Sequence, residues 1–447
     1  MSRELHSLLK KCYLRLADGF KPESDAASLA EDVLVFLLLA GMINDGTYEP
    51  EENGDYAWQS VYDSCIETVS RLLPWFSDRH RLLPVPGEVI KVIWTGVVRK
   101  GCYPADLLGA VHEMALGMPD KAPDDKDGKN TPGGTKRKRQ GSYYTPPEVV
   151  EYMVQNTIGR LAESDRRQFR AVDPACGSAA FLSQILRNLL EYYRGHQVSS
   201  PAQKAITHLY GVDSDRRAVD LTVLGLALEC CVRKDITEAE KHIRLLRPRI
   251  LTGDSLTMNW QREFPEVFQG PNPGFDLVTG NPPYLSNKAL PAALKEYIRT
   301  HYQTAEGQYD IIVPFVEKGL EILKEGGRQC FIVSNKYLAA DYGRKLRAEL
   351  LTRHSLLEVT DLSSLRVFAG ASVYPVIHLI EKGRGKVAEE VTVTEVRDIK
   401  QLGKGQNKCK IPLSFFRRLD DMIITPKLNK DVWSVLEKAF RFAGRLP

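Results

Sequence analysis

The stretch AVDPACGSAAFL, residues 171–182, runs from an apolar strand end into a helix through a series of small residues. A strand, a tight turn and a helix in this order are typical of the first βα unit of a parallel α/β sheet. The small side chains let a ligand approach the backbone, and the start of the helix offers free N–H groups. A purely structural tight turn explains the same residues, so the rest of the chain must decide between the two.

The alternation of strand and helix continues on both sides of this stretch. We predict strands at 171–172, 208–212, 250–251, 275–278 and 330–333, and helices at 179–193 and 216–231. This order predicts a doubly wound, mostly parallel α/β sheet of the Rossmann type. Ligands of such sheets bind at the carboxyl ends of the strands, near the topological switch point.

The remaining sequence predicts four regions. Residues 1–118 carry leucine and valine at helical spacing and predict an N-terminal helical domain. Residues 119–140 are rich in Pro, Gly, Asp and Lys and predict a flexible linker. Residues 141–385 form the α/β domain, and residues 386–447 form a C-terminal extension that we interpret as the start of a further region.

The linker ends in four consecutive cations, Lys136, Arg137, Lys138 and Arg139. They are either a solvated loop or a segment that contacts phosphates. The whole chain gives little help, because 61 basic and 57 acidic residues leave a net charge of only +4. A basic surface must therefore come from local clusters such as this one.

Other classes of protein are disfavoured by the composition. The longest apolar run, residues 33–42, is too short to span a bilayer, and the N-terminus lacks a signal-peptide core, so we predict a cytoplasmic protein without a membrane partner. The eight cysteines form no CxxC pair, and we predict no metal site. His112 and Glu113 begin a metalloprotease-like HExx, but Leu116 replaces the second histidine, which predicts an ordinary helix surface.

Acidic residues follow the second and third predicted strands. Asp213, in GVDSD, is placed to accept hydrogen bonds from both hydroxyls of a ribose, whereas Asp215 is the alternative or a helix N-cap. Asp254, in TGDSL, can accept from the exocyclic amine of an adenine. Each acid alone is weak evidence, but Asp173, Asp213 and Asp254, which follow three successive strands, indicate a nucleoside site.

The segment FDLVTGNPPY, residues 275–284, is the most specific stretch of the chain. Two consecutive prolines fix the backbone and remove two N–H donors, which leaves carbonyl groups free to accept. Asn281 adds a side-chain carbonyl and Tyr284 a flat aromatic face. Together they suit a planar substrate that carries an NH₂ group.

In this order, DPACGSAAFL, GVDSD, TGDSL and GNPPY resemble the S-adenosylmethionine (SAM)-dependent N6-adenine DNA methyltransferases of restriction-modification systems. GSYYTP, residues 141–146, resembles the family's upstream SAM-binding motif, and VFAGASVYPVI, residues 367–377, its late motif. The motif order resembles the gamma class and covers residues 141–382. One departure is Ala179, where the family usually has glycine.

The resemblance implies a SAM-dependent methyltransferase fold, a SAM cofactor and a DNA partner, with no metal in the reaction. It implies that the cofactor site is lined by Tyr144, Thr145, Asp173, Ala175, Gly177, Asp213, Asp254 and Asn281. It assigns catalysis, by direct methyl transfer to a flipped adenine, to Asn281, Pro282 and Tyr284. It gives substrate contacts to Tyr284 and Phe368, which would sandwich the base, and it favours phosphate contact for Lys136, Arg137, Lys138 and Arg139.

Two alternatives stay open at this point. NPPY also occurs in enzymes that methylate the N5 amide of glutamine in proteins. The second alternative is that the chain is the methylase part of a bifunctional restriction enzyme. Few residues follow the late motif. We therefore expect a target-recognition domain or specificity subunit outside this sequence, and a chain that binds SAM well but methylates duplex DNA poorly.

Overall fold

The computed structural model describes residues 3–19, 26–43, 72, 85, 89–90, 92–93, 104–116, 141, 143–160, 169–231, 236–368, 373–383, 388–404, 408–428 and 430–443. The predicted linker, including Lys136, Arg137, Lys138 and Arg139, lies outside these residues. The role predicted for those cations therefore stays a prediction.

The described helices include three in the N-terminal region and twelve further along the chain. They are α1 (Arg3–Gly19), α2 (Ala26–Ile43), α3 (Pro104–Leu116), α4 (Pro147–Thr157), α5 (Ala180–Gly195), α6 (Pro201–Ile206), α7 (Arg216–Cys230), α8 (Ile236–Leu246), α9 (Trp260–Glu263), α10 (Pro265–Phe268), α11 (Ala292–His301), α12 (Ile312–Ile322), α13 (Arg344–Thr352), α14 (Leu413–Arg417) and α15 (Lys430–Ala443). Short 3₁₀ turns lie at Ile158–Arg160, Asn287–Ala289, Asn335–Leu338, Asp341–Gly343, Ile399–Gln401 and Asp420–Met422.

Nine strands form one mixed sheet. They are β1 (Ala171–Asp173), β2 (Leu209–Asp213), β3 (Ile250–Thr252), β4 (Phe275–Gly280), β5 (Leu323–Ser334), β6 (Ser355–Asp361), β7 (Pro375–Glu381), β8 (Glu390–Glu395) and β9 (Lys408–Pro412). Their order is β3-β2-β1-β4-β5-β7-β6-β8-β9.

The direction of the strands confirms the predicted fold class. β1 pairs in parallel with both β2 and β4, and β4 pairs in parallel with β5. β7 is antiparallel to its neighbours β5 and β6, and β6 is parallel to β8. The chain order reverses at β1, between β2 and β4, which is the topological switch point where ligands of open α/β sheets bind.

The described residues fall into two compact units. One is formed by those within Met1–Arg139, Gly177–Thr207 and Asp215–Leu251, and the other by those within Gln140–Cys176, His208–Ser214 and Thr252–Pro447. The first unit includes residues from the middle of the chain, because α7 shares a hydrophobic core with α1, α2 and α3. The regions 1–118, 119–140, 141–385 and 386–447 stay a prediction.

The core of the first unit is built from helices whose apolar residues recur at helical spacing. Leu9 and Leu16 of α1, Leu108 of α3 and Leu221 and Leu228 of α7 are buried in the same cluster. In α2 the whole run from Val33 to Leu38 is buried, which requires neighbours around most of that helix. The described N-terminal helices α1, α2 and α3 thus share one core with the mid-chain helix α7.

A buried ionic network crosses the same unit. His112 is 3% exposed and its Nδ1 lies 2.9 Å from Glu31 Oε1, so the prediction that His112 and Glu113 form a helix surface is wrong. The HExx pattern carried no information on burial. Burial works against the charged imidazole, but the hydrogen bond and charge of Glu31, with Asp215 and Glu113, raise the pKa of His112.

In the second unit a buried arginine ties the end of β5 to the C-terminal region. Arg347 is 0% exposed, and its Nη1 donates to the carbonyls of Tyr337 (2.8 Å) and Ala340 (2.7 Å). Its Nε and Nη2 donate to the Asp421 carbonyl, at 3.1 and 2.9 Å. The segment that follows β5 is therefore fixed by a side chain of α13 and by residues far along the chain.

Replacing Arg347 by leucine is expected to lower the free energy of unfolding by about 3 kcal/mol or more, because each buried carbonyl left without a donor costs about 1–3 kcal/mol. Arg353→Leu is the matched control, since Arg353 is exposed and makes one 3.5 Å ion pair with Glu349. Its loss should stay within about 0.5 kcal/mol. Urea unfolding followed by circular dichroism measures both, and equal losses would contradict the role of Arg347.

Candidate active site

The first strand of the switch point ends in a buried acid. Asp173 is 1% exposed, and its Oδ1 accepts a hydrogen bond from the Ala175 N–H at 3.0 Å. Burial raises the pKa of Asp173 to about 8; the Ala175 hydrogen bond opposes this rise and the negative charge of Asp213 adds to it. The charge of Asp213 therefore acts on the Asp173 carboxyl, and such a pair of acids suits a ligand that carries positive charge.

The end of β4 lies against the same acid. A Cβ built on Gly280 would overlap Asp173 Oδ1, so only glycine lets β4 pass at this distance. Gly280 directly precedes Asn281 in the NPPY segment. The predicted cofactor acid and the predicted catalytic segment are therefore in direct contact through the backbone of residue 280.

The turn between β1 and α5 takes left-handed backbone conformations. Gly177 has φ +49°, and Ala179, immediately before α5, has φ +75°. The left-handed region costs an L-residue with a side chain about 1–2 kcal/mol. This cost explains why the family that the sequence resembles usually has glycine at position 179. The present chain adopts the same left-handed conformation with alanine. Ala175 is half-buried in the same turn.

The acids that follow β2 and β3 differ in their surroundings. Asp213 is partly exposed at the end of β2, and its carbonyl accepts from Gly253 N–H at 2.9 Å. Asp254 is exposed, and its Oδ1 accepts from Leu256 N–H at 2.9 Å. Asp215 instead caps α7, accepting from Arg217 N–H at 2.9 Å. Of the two acids considered for the ribose, Asp213 is thus the one whose side chain is not a helix cap.

The Asn281 side chain is held by the upstream motif. Its Nδ2 donates to the Tyr143 carbonyl at 2.8 Å and to Thr145 Oγ1 at 3.1 Å. A backbone carbonyl can only accept, so the NH₂ group of the amide must face Tyr143. The orientation of the amide is therefore set by the protein.

The other end of this amide is a buried acceptor. Within the described part of the chain, Asn281 Oδ1 has almost no solvent contact and no hydrogen-bond partner. An unsatisfied buried acceptor costs about 1–3 kcal/mol, which a bound NH₂ group would recover. The geometry therefore provides one preformed acceptor for an amine.

A backbone hydrogen bond fixes the NPPY segment to the upstream motif as well. Tyr284 N–H donates to the Gly141 carbonyl at 3.0 Å. Gly141 has φ +66°, and a Cβ at this position would lie 2.8 Å from Tyr284 N. Pro282, between the two contacts, is buried. The acceptor role predicted for its carbonyl stays a prediction.

Three aromatic rings surround the end of the NPPY segment. The Tyr284 ring centroid lies 5.7 Å from that of Tyr143 and 5.5 Å from that of Phe368. The Tyr143 and Phe368 centroids are 5.7 Å apart. Burial and the nearby charge of Asp310 raise the pKa of Tyr284, so its phenol stays protonated and donates to the Ile332 carbonyl at 3.2 Å.

The predicted sandwich of Tyr284 and Phe368 around a base is not the arrangement seen. A base between two rings needs them nearly parallel and about 7 Å apart, twice the optimal carbon–carbon separation. The two rings instead meet edge to face at 65°, which is the preferred contact of two aromatic rings with nothing between them. A base can enter only if Tyr284 or Phe368, which is 5% exposed, moves.

Tyr143 is the site residue that sequence reasoning missed. The upstream motif GSYYTP drew attention to Tyr144, which is half-buried, and to Thr145, which is buried. Tyr143 acts through its carbonyl and its ring together. A main-chain contact leaves no signature in residue type, so only its place in the motif could have indicated it.

No group of three or more His, Cys, Asp or Glu side chains is arranged to hold a metal ion within the described ranges. None of the helices there is both long and apolar enough to cross a bilayer.

A Gly280→Ala substitution is expected to lower the free energy of unfolding by about 2 kcal/mol, because the added methyl group must displace Asp173 or the β4 backbone. Gly195→Ala is the control: it ends α5 and has open space around its Cβ position. That variant should be neutral or slightly stabilised. Calorimetry of both variants decides the matter, and an unaffected Gly280→Ala would show that Asp173 and β4 are not in contact.

Residues 207–368 match the family model described as Eco57I restriction-modification methylase. The type II methyltransferase M.XhoI of Xanthomonas vasicola is 29% identical over 257 residues, which cover 55% of this chain and 43% of that protein. The type II restriction enzyme and methyltransferase RM.Eco57I of Escherichia coli is 26% identical over 330 residues, covering 66% of this chain and 32% of that protein. The chain thus spans less than half the length of these two relatives.

Among solved structures, a modification subunit of a putative type I restriction enzyme from Vibrio vulnificus YJ016 aligns with 98% of this chain and 99% of its own. The TM-score is 0.59 and the sequence identity 13%. At this identity the likeness concerns the fold alone, and it agrees with the sheet described above.

Proposed function

Because residues 207–368 carry an Eco57I restriction-modification methylase domain, we propose that this chain transfers the methyl group of SAM to the N6 amine of adenine in DNA. The observation that carries the proposal is the Oδ1 of Asn281, which is buried and has no hydrogen-bond partner among the described residues. It lies in an NPPY segment whose position is fixed by two contacts with the upstream motif, from Asn281 to Tyr143 and from Tyr284 to Gly141.

The chemistry of adenine explains why such an acceptor is needed. The lone pair of the N6 amine is delocalised into the ring, which makes the amine a poor nucleophile. Hydrogen bonds from the amine to Asn281 Oδ1 and to the Pro282 carbonyl would draw it towards tetrahedral geometry and localise the lone pair. The contribution of the protein is then positioning and electrostatic complementarity, without a covalent enzyme intermediate.

The residues at the switch point fit SAM. When bound, SAM supplies an electrophilic methyl group on a positively charged sulfur. Asp173 and Asp213 provide carboxyl groups at adjacent strand ends, where a cation is favoured and an anion is not. We assign the ribose hydroxyls to Asp213 and the cofactor's adenine amine to Asp254, with Tyr144, Thr145, Ala175 and Gly177 lining the rest of the site.

DNA is the partner that this reaction requires. The N6 atom is inaccessible in a stacked duplex, so the target adenine must leave the helix and enter the pocket beside Tyr284. Phe368 and Tyr284 would then exchange their mutual contact for contacts with the base. A target-recognition domain or specificity subunit, contact of Lys136, Arg137, Lys138 and Arg139 with DNA, and a cytoplasmic location belong to the same proposal.

The direct test uses SAM labelled in its methyl group, duplex and single-stranded DNA, and digestion of the products to nucleosides. We expect the label in N6-methyladenine, and a loss of at least about 100-fold in Asn281→Ala, as is typical when a group that stabilises the transition state is removed. Asn272→Ala is the matched control, because Asn272 is exposed and, within the described ranges, its side chain bonds only to the Glu325 backbone. Label in cytosine, or in a protein glutamine amide instead of DNA, would contradict the proposal.

Substitutions of Tyr284 distinguish the stacking of the base from the binding of the cofactor. Tyr284→Ala is expected to lower methylation by about 5- to 150-fold, since stacking of a base on an aromatic ring contributes about 1–3 kcal/mol. Calorimetry should find its SAM affinity unchanged. Tyr284→Phe should stay nearly as active as the wild type, with a stability loss of about 1 kcal/mol for the hydrogen bond to Ile332. If both variants are equally inactive, the phenol takes part in the chemistry.

A further inference from the structure

A cavity of about 370 Å³ lies in the second unit beside the candidate active site. Its apolar wall is made by Pro146, Leu365, Val367 and Ile399. None of these residues belongs to the predicted cofactor or catalytic sets. We call it the flanking cavity.

Two wall residues of the flanking cavity are sequence neighbours of residues in the candidate active site. Pro146 follows Thr145, which accepts the hydrogen bond from Asn281. Val367 precedes Phe368, which contacts Tyr284. The residues of two walls are thus the immediate neighbours of residues that hold the acceptor and the rings.

The flanking cavity also lies on the catalytic edge of the sheet. β7 is antiparallel to both β5 and β6, so β6 runs in the same direction as β5, and β8 is parallel to β6. The wall residues around 365 and 397 follow the carboxyl ends of β6 and β8. They therefore face the same side as NPPY, which follows the carboxyl end of β4.

Two cations and two acids complete the walls. Arg366 is exposed and, among the described residues, has no ion-pair partner, whereas Arg397 is exposed and pairs with Glu395 at 3.1 Å. The acids are engaged with the protein: Asp398 accepts from the Lys400 N–H at 3.0 Å, and Glu148 lies in the first turn of α4. A carboxylate at a helix start is stabilised there by the helix dipole. Because Glu395 engages Arg397 through both Nε and Nη2, Arg366 is the cation of the walls that is left available to an anionic ligand.

We propose that the flanking cavity binds the DNA phosphodiester next to the target adenosine, with Arg366 as the main contact and Arg397 as the second. The inference rests on the proposed function and adds the position of the DNA strand. An adenine in the pocket stays attached to its phosphates, so one of them must pass close to the rings. Arg366 lies two residues from Phe368, a separation of at most about 7 Å, which is within reach of that phosphate.

The chemistry of the walls fits this occupant. Arginine presents a planar set of donors that matches the oxygens of a phosphate. Arg366, which has no ion pair among the described residues, has this set available, whereas Arg397 shares its donors with Glu395. The apolar wall can pack against the sugar. Phosphate contacts position a nucleic acid without reading its sequence, so this site would act on every adenine that enters the pocket.

The first test measures DNA affinity of the full chain against salt concentration. In Arg366→Ala the slope of log affinity against log salt should fall by about 1 in magnitude, and in Arg397→Ala by less, because Glu395 already pairs with Arg397. SAM affinity should not change. Arg353→Ala is the matched control, because Arg353 is also exposed and paired once, and it precedes the amino end of β6 on the opposite edge of the sheet. A slope in Arg366→Ala equal to that of Arg353→Ala would overturn the inference.

The second test places a neutral methylphosphonate on either side of the target adenosine. One of the two positions should weaken methylation by the wild type about tenfold and have no further effect in Arg366→Ala. Independent, multiplicative losses at both positions would overturn the inference while leaving the proposed function intact. If the wild type labels no adenine in unmodified DNA, the proposed function fails first and this inference falls with it.

Discussion

The hydrogen bond from Asn281 Nδ2 to the Tyr143 carbonyl is the interaction on which the candidate site depends. Because the carbonyl cannot donate, the bond fixes which end of the amide is turned away and leaves Oδ1 as a buried acceptor. A rotated amide would present donors to a substrate amine that itself donates. One backbone atom of the upstream motif therefore decides the polarity of the pocket.

The sheet holds the two partners of this bond in place. β4 reaches Asn281 after passing Asp173 at a distance that only Gly280 allows, and Tyr284 is tied back to Gly141. Beyond β5, Arg347 ties the following segment to residues near position 421. The acceptor Asn281 and the acid Asp173 thus lie at the ends of strands that are fixed on several sides. Catalysis by positioning requires such fixed groups.

The part of the sheet from β1 to β5 was predicted from the sequence: the strands at 208–212 and 275–278 and the helix at 216–231 lie within about two residues of β2, β4 and α7. Sequence patterns could not predict packing between residues that are far apart in the chain. The burial of His112 depends on Glu31, far away in the chain, and the edge contact of Phe368 with Tyr284 depends on tertiary packing. Tyr143 was missed because a carbonyl is common to every residue. That Asp215 caps α7 was seen only in the structure, and the assignment of the ribose to Asp213 stays a prediction.

The orientation of Asn281 is the central claim, and a double-mutant cycle with Thr145 tests it most directly. Thr145 Oγ1 accepts the second hydrogen bond of the amide, so Thr145→Val should slow single-turnover methyl transfer at saturating SAM by about tenfold, the equivalent of about 1.4 kcal/mol. Thr145→Ser should restore the rate. In an Asn281→Ala background, Thr145→Val should cause no further loss. Equal losses from Thr145→Val in both backgrounds would contradict the account, because Thr145 would then act independently of the Asn281 amide.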